Sequence, residues 1–138
     1  LPEGPYHRGL QWLVQDLNRL YRAQPALHQV DFDPAGFQWI DCTDAEQGVV
    51  SFLRRARNPE DCLLIVCNFT SVPRHGYRIG VPSGGYWAEL LNTDGQAYGG
   101  SNVGNDGGIW AEDMEQHGQP HALVLTLPPL AALFLRRR

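Results

Sequence analysis

The order of the two hydrophobic periodicities constrains this chain more than any single motif: one helical stripe comes first, and strand-and-turn patterning follows. Leu10, Leu13, Val14, Leu17, Leu20 and Tyr21 recur at helical spacing, so a helix carrying them presents one apolar face. The pattern predicts a helix from about His7 to Ala23. Leu1 to Tyr6, with Pro2, Gly4 and Pro5, reads as an extended lead-in. Pro25 ends the helix or permits one short turn through Ala26-Leu27-His28, because proline disfavours helix at the residue before it. A lone amphipathic helix needs a partner surface, and no second long helical pattern follows to supply one. The stripe therefore predicts a partner in a larger polypeptide, of which this chain is the C-terminal end. The absence of an initiator Met at Leu1 agrees with that expectation.

From Phe37 onward the apolar residues come in short bursts separated by Gly, Pro, Asn and Asp. Asp31-Phe32-Asp33-Pro34-Ala35-Gly36 is turn chemistry, with Asp able to bond its own backbone. Strands are predicted at 37–41, 49–54, 63–69, 77–81, 86–92, 121–127 and 130–135. The run 63–69 is nearly all apolar and so is expected at the centre of a sheet. The predicted fold is mainly β: an N-terminal amphipathic helix, then an antiparallel β-sandwich of seven or eight strands. Residues 93–118 hold seven glycines and only scattered apolar residues. So long a segment is either functional or docked. Docking is the expectation, because Tyr98 and Trp110 need surface to bury against.

Composition narrows the function classes. At 43% hydrophobic residues the chain is ordinary for a globular domain, and its net charge of −4 argues against nucleic-acid binding. No apolar run reaches the ~20 residues that span a bilayer, and no signal peptide is visible, so the expected setting is cytoplasmic with no membrane partner. Cys42, Cys62 and Cys67 are odd in number and lack paired spacing, which favours reduced structural thiols over disulfides or zinc. Asn68-Phe69-Thr70 fits a glycosylation sequon, which carries no weight without a secretory signal.

The chemistry-bearing residues do not assemble into an active site by spacing. Glu89, Asp94, Asp106, Glu112, Asp113 and Glu115 are the carboxylates that could form a glycosidase-type pair at about 5–5.5 or 6.5–9.5 Å. All but Glu89 sit in the glycine-rich stretch, where acids cap turns or face solvent. His75, His117 and His121 lack metal-ligand spacing, since Gly118 and Pro120 interrupt any helix between the last two. No Gly-x-Ser-x-Gly turn and no phosphate-binding loop with a following Lys is present. No catalytic residue, metal site or cofactor is therefore assigned. Trp39, Tyr86, Trp87, Tyr98 and Trp110 are the candidate sugar contacts, because flat apolar faces with polar edges stack on pyranose rings. Their alternative role is core or domain interface.

Three blocks and the terminal strands carry a specific resemblance. Asp16-Leu17-Asn18-Arg19-Leu20-Tyr21-Arg22, with Pro25-Ala26-Leu27-His28 and the run from Asp31 to Ile40, is similar to the barrel end of bacterial 1,4-α-glucan branching enzymes. Asn68-Phe69-Thr70-Ser71-Val72-Pro73-Arg74-His75 with Tyr77-Arg78 resembles the next block of that family. Leu91-Asn92-Thr93-Asp94, Tyr98-Gly99-Gly100-Ser101-Asn102 and Gly104-Asn105 resemble a third. Leu125-Thr126-Leu127-Pro128-Pro129-Leu130-Ala131 resembles the terminal strands. The resemblance implies an α-amylase-type parent of the glycogen pathway that cleaves an α-1,4-glucan, holds the piece covalently, and transfers it to a 6-hydroxyl. Its acidic trio would sit at barrel strand ends before residue 1, so no catalytic residue carries over. Residues 1–36 would be the end of that barrel, its last helix running from His7 to Ala23 against the missing part. Residues 37–138 would be the C-terminal all-β domain, and α-1,4-glucan or glycogen the partner through the parent.

Overall fold

The computed structural model describes residues 5–30 and 33–138. The opening helix α1 spans Pro5–Ala23 and is followed by short 3₁₀ turns at Pro25–Leu27 and Pro34–Gly36. Pro5 and Tyr6 are thus helical rather than extended. Proline suits the first helical position, where its missing N–H has no partner to lose. The expectations for Leu1–Gly4 and for Asp31 and Phe32 fall outside the described residues. In the second 3₁₀ turn, Asp33 caps by accepting from the Ala35 N–H at 2.9 Å, as the turn reading requires.

Eight strands follow: β1 Phe37–Asp44, β2 Val49–Arg55, β3 Cys62–Asn68, β4 Arg74–Val81, β5 Tyr86–Asn92, β6 Gly108–Trp110, β7 His121–Leu127 and β8 Ala131–Arg137. Strand β1 runs three residues beyond the apolar pattern, through Cys42, Thr43 and Asp44, with register shifts after Trp39 and Asp41. Strand β4 likewise starts at polar Arg74, with an irregularity before Tyr77. Strand hydrogen bonding there continues past the hydrophobic signal, as bulged edges allow.

All pairings are antiparallel. One sheet has the order β1-β2-β3-β8-β5-β6, and the other consists of β4 and β7. The apolar run of β3 is central, as predicted, because it lies between β2 and β8. The two sheets enclose a core of Val49, Leu53, Leu64, Val66, Leu133 and Leu135 against Ile79, Val81, Leu123, Leu125 and Leu127. Trp87 joins this core at 0% exposure, with its indole N–H donating to the Ser83 carbonyl at 3.2 Å. Its place among the exposed aromatics is therefore corrected: alternation along β5 turns Trp87 inward and Tyr86 outward.

The outward face of the large sheet is apolar too. Cross-strand partners Trp39, Phe52, Ile65 and Phe134 share it. One end is covered by the segment after α1: Ala26 is buried, Arg54 donates to the carbonyls of Gly36 and Leu27, and Arg136 reaches Gln24 at 3.0 Å.

The glycine-rich segment 93–118 is ordered by side chains. Asp94 accepts from Ser101 N–H, Ser101 Oγ and Val103 N–H. Asn105 bonds both the N–H and the carbonyl of Thr126 at 2.8 and 3.0 Å, standing in for a strand neighbour. The segment then forms β6, crosses from β5 to β7 through the Glu112–Ala122 bridge, and closes in a two-residue turn at His117-Gly118. Both turn residues have positive φ, the geometry that fits hairpin twist.

The three cysteines are free, Cys42 exposed, Cys67 half-buried and Cys62 buried. Burial pushes the Cys62 thiol up to about 11, which leaves almost no thiolate at neutral pH. A disulfide-exchange reagent should therefore modify Cys42 quickly and leave Cys62 untouched until denaturant is added. Rapid native labelling of Cys62 would contradict this packing.

Candidate functional site

The helix meets its own β-domain along one flank only. Gly9 lies against the Tyr98 backbone so closely that an added Cβ would fall 2.5 Å from its carbonyl carbon and oxygen. About two turns further on, the Tyr98 hydroxyl donates to the Asp16 carboxylate, which also pairs with Arg19 at 3.2 Å. Desolvation, and then the Asp16 carboxylate, push the Tyr98 phenol up to about 12. Leu20 and Ala23 line a pocket with Leu90, Leu91 and Tyr98 beneath them. The other flank carries Leu10, Val14 and Tyr21, each exposed over about half its surface. Leu13, Leu17 and Leu20 are half-buried. The apolar stripe is thus split: part rests on the chain's own domain, and part has no cover among the described residues.

The outward side of the large sheet adds to this uncovered surface. At the β1 edge, exposed Phe37 and Trp39 pack with Phe52, ring centroids 5.0 Å apart between Phe37 and each of the other two. At the end of β3 and β8 lies a groove of about 320 Å³ floored by Cys67 and Ala132, with Phe69 and Leu130 on its rim. Phe69 is 67% exposed and Leu130 69%. Leu130 also has φ +47, a conformation that branched residues avoid. Sequence reading assigned Phe69 and Leu130 to strands and missed this patch. The signal was a large apolar residue beside each proline-containing turn, where polar residues are the rule. Asn68 fixes both turns, donating to the carbonyls of Val72 and Pro128 at 2.9 and 3.0 Å.

The aromatic candidates do not form one platform. Tyr86 and Trp110 pair at the β5–β6 edge, centroids 5.3 Å apart, and Trp110 is 69% exposed. Trp39 stands at the opposite edge, five strand spacings or roughly 24 Å away. Tyr98 is committed to the helix. Docking of the glycine-rich segment thus buries Tyr98 in part but leaves Trp110 open, against the expectation for both.

The carboxylates and histidines are built into loops. Glu89 accepts from the Asn105 side chain, Asp94 anchors its turn, and His121 lies 3.0 Å from Asp113. His117 accepts from the Gly80 N–H through Nδ1 and pairs with Asp41 through Nε2 at 3.3 Å. Burial raises the Asp41 carboxyl, but hydrogen bonds from Thr43 and the nearby His117 outweigh it and hold the group below its usual value. Among the described residues no three His, Cys, Asp or Glu side chains converge as a metal site.

The arrangement defines a two-sheet antiparallel β-domain with exposed apolar residues on its outer side. Residues 39–138 match the family described as alpha amylase, C-terminal all-beta domain, and the chain belongs to that family. The chain is 64% identical over 138 residues to the 1,4-alpha-glucan branching enzyme GlgB of Rubrobacter xylanophilus, which covers 100% of this chain and 19% of that protein. It is 52% identical over 136 residues to the namesake from Aquifex aeolicus, covering 99% of this chain and 22% of the relative. With the Cereibacter sphaeroides enzyme of that name identity is 56% over 135 residues, 98% of this chain and 18% of the relative. The chain thus spans about a fifth of the length of the curated relatives it matches.

The helix–sandwich contact makes a counterintuitive prediction. Gly9→Ala should gain about 1 kcal/mol of helix propensity yet clash with Tyr98, where overpacking costs about 1–3 kcal/mol. A lowered thermal midpoint by circular dichroism is expected; a raised one would place the helix away from Tyr98.

Proposed function

We propose that this chain is the C-terminal portion of a bacterial 1,4-α-glucan branching enzyme. On this reading residues 1–36 complete the catalytic barrel, and residues 37–138 form the all-β domain beside it. The parent cleaves an α-1,4-glucan, keeps the severed piece as a glycosyl-enzyme, and transfers it to a 6-hydroxyl of glycogen in the cytoplasm. The acids for that chemistry lie upstream, and this segment serves the barrel by covering and stiffening it.

The observation that carries the reading is the uncovered apolar side: Leu10, Val14 and Tyr21 on the helix, with Trp39, Phe69 and Leu130 on the sheet and its turns. Complete burial of such a side chain stabilises by about 1.5–3 kcal/mol, so covering several half-exposed ones adds several kcal/mol to the assembled enzyme. Val14→Asp should raise the solubility of the 138-residue chain without changing its circular dichroism. The same change should lower the thermal midpoint of the complete enzyme and weaken capture of the isolated chain by a barrel fragment supplied in trans. Unchanged capture would remove the helix from the interface.

A second reading assigns an outer glucan contact to Tyr86 and Trp110, favoured by the open indole of Trp110 at a three-residue edge strand. Isothermal titration with maltoheptaose should then show millimolar binding that Trp110→Ala abolishes. Binding unaffected by that change would return the pair to the interface or to solvent.

A further inference from the structure

A further pocket lies across β1 from Trp39, at the seam where the edge of the large sheet meets β4. Its volume is about 280 Å³, and its lining includes Asp41, Asp44, Gln47, Arg78, Gln116 and His117. The floor is prearranged. The Asp41 carboxylate accepts from Thr43 and His117, and the Asp44 carboxylate accepts from the Gln47 N–H and the Tyr77 hydroxyl. The walls differ. Among the described residues, the side chains of Gln47, Arg78 and Gln116, and of His75 beside them, make no hydrogen bond or ion pair within the chain.

Charge and shape decide the ligand class. An anion entering here would meet two carboxylates. A cation would meet the Arg78 guanidinium, while each carboxylate, though bonded to protein donors, keeps lone pairs free for a further neutral donor. A neutral polyhydroxylated molecule suits both signs, because each hydroxyl donates to a carboxylate or amide oxygen and accepts from an amide or guanidinium N–H. The volume falls just below the range of small-molecule sites, roughly 300–1,000 Å³, which limits the ligand to one or two sugar rings. The lining is mostly polar, so hydrogen bonds supply most of the affinity, which is expected in the millimolar range.

We propose that this seam pocket is a saccharide site that takes the end of a neutral oligosaccharide. Naming an α-1,4-glucan as that saccharide rests on the branching-enzyme reading above; the pocket's preference for neutral hydroxyls does not.

The test is a two-dimensional amide NMR titration of the nitrogen-15-labelled chain with maltotriose, trehalose and inorganic phosphate in separate arms, each to roughly 50 mM, well above a millimolar Kd. Saturable shifts at Gln47, Gly76, Arg78 and Gln116 with maltotriose are expected. Arg78→Gln and Gln116→Ala should each weaken them about tenfold while leaving the remaining spectrum unchanged. Shifts with trehalose alone would support the saccharide site and overturn only its α-1,4-glucan assignment. Shifts with phosphate alone, shifts confined to Tyr86 and Trp110, or silence in every arm would overturn the proposal.

Discussion

A six-stranded sheet has two faces, and the described residues offer two further strands, one long helix and short 3₁₀ turns to cover them. The small sheet of β4 and β7 seals the inner face completely, which is why Leu53, Leu64, Leu133 and Leu135 reach zero exposure. The outer face is equally apolar down its middle, yet receives only the segment around Ala26 and one flank of α1. Exposed Trp39, Phe69 and Leu130, with the uncovered flank of the helix, are what remains of that imbalance. Exposed apolar surface of this extent is what the proposed packing against the rest of the enzyme would cover.

Side-chain amides and one carboxylate hold the loops that frame this surface. Asn68 joins the β3–β4 turn to the β7–β8 turn, Asn92 holds the Val103 carbonyl at 2.7 Å, and Asn105 pairs with Thr126 as a strand would. Asp94 organises its turn through three donors. These residues fall inside the blocks that carry the resemblance to branching enzymes, and their work is architectural. Each satisfies backbone groups that the turns or the glycine-rich segment leave without ladder partners. The sequon at Asn68 is occupied by the same duty, because its amide nitrogen is already bonded to two carbonyls inside the fold.

Much of the strand pattern was legible because alternation and turn residues are local properties. The bounds of β5 and β7 follow the apolar pattern to the residue, whereas β1 and β4 extend into polar stretches that hydrogen bonding sustains without hydrophobic signal. The aromatic candidates were legible as a group but not as individuals. Trp87 and Tyr86 are neighbours with the same propensity, and one is core while the other faces out, because pleating sends successive side chains to opposite faces. Trp110 sits in a segment with no periodicity, so its exposure depended on where Asn105 and Asp94 pin the loop. The seam pocket was equally hidden, since it joins residues from β1, β4 and the His117 turn.

The amino-acid order by itself determined one amphipathic helix, a central strand at β3, antiparallel short strands and membership of a β-rich class, because each rests on spacing between near neighbours. Only the tertiary structure decided which flank of the helix is covered, which tryptophan is buried and which polar groups share a pocket. Those outcomes depend on contacts between residues distant along the chain, such as Gly9 with Tyr98 and Asp41 with His117. No local pattern encodes them, since they are fixed by how two sheets and a helix divide a limited supply of apolar cover.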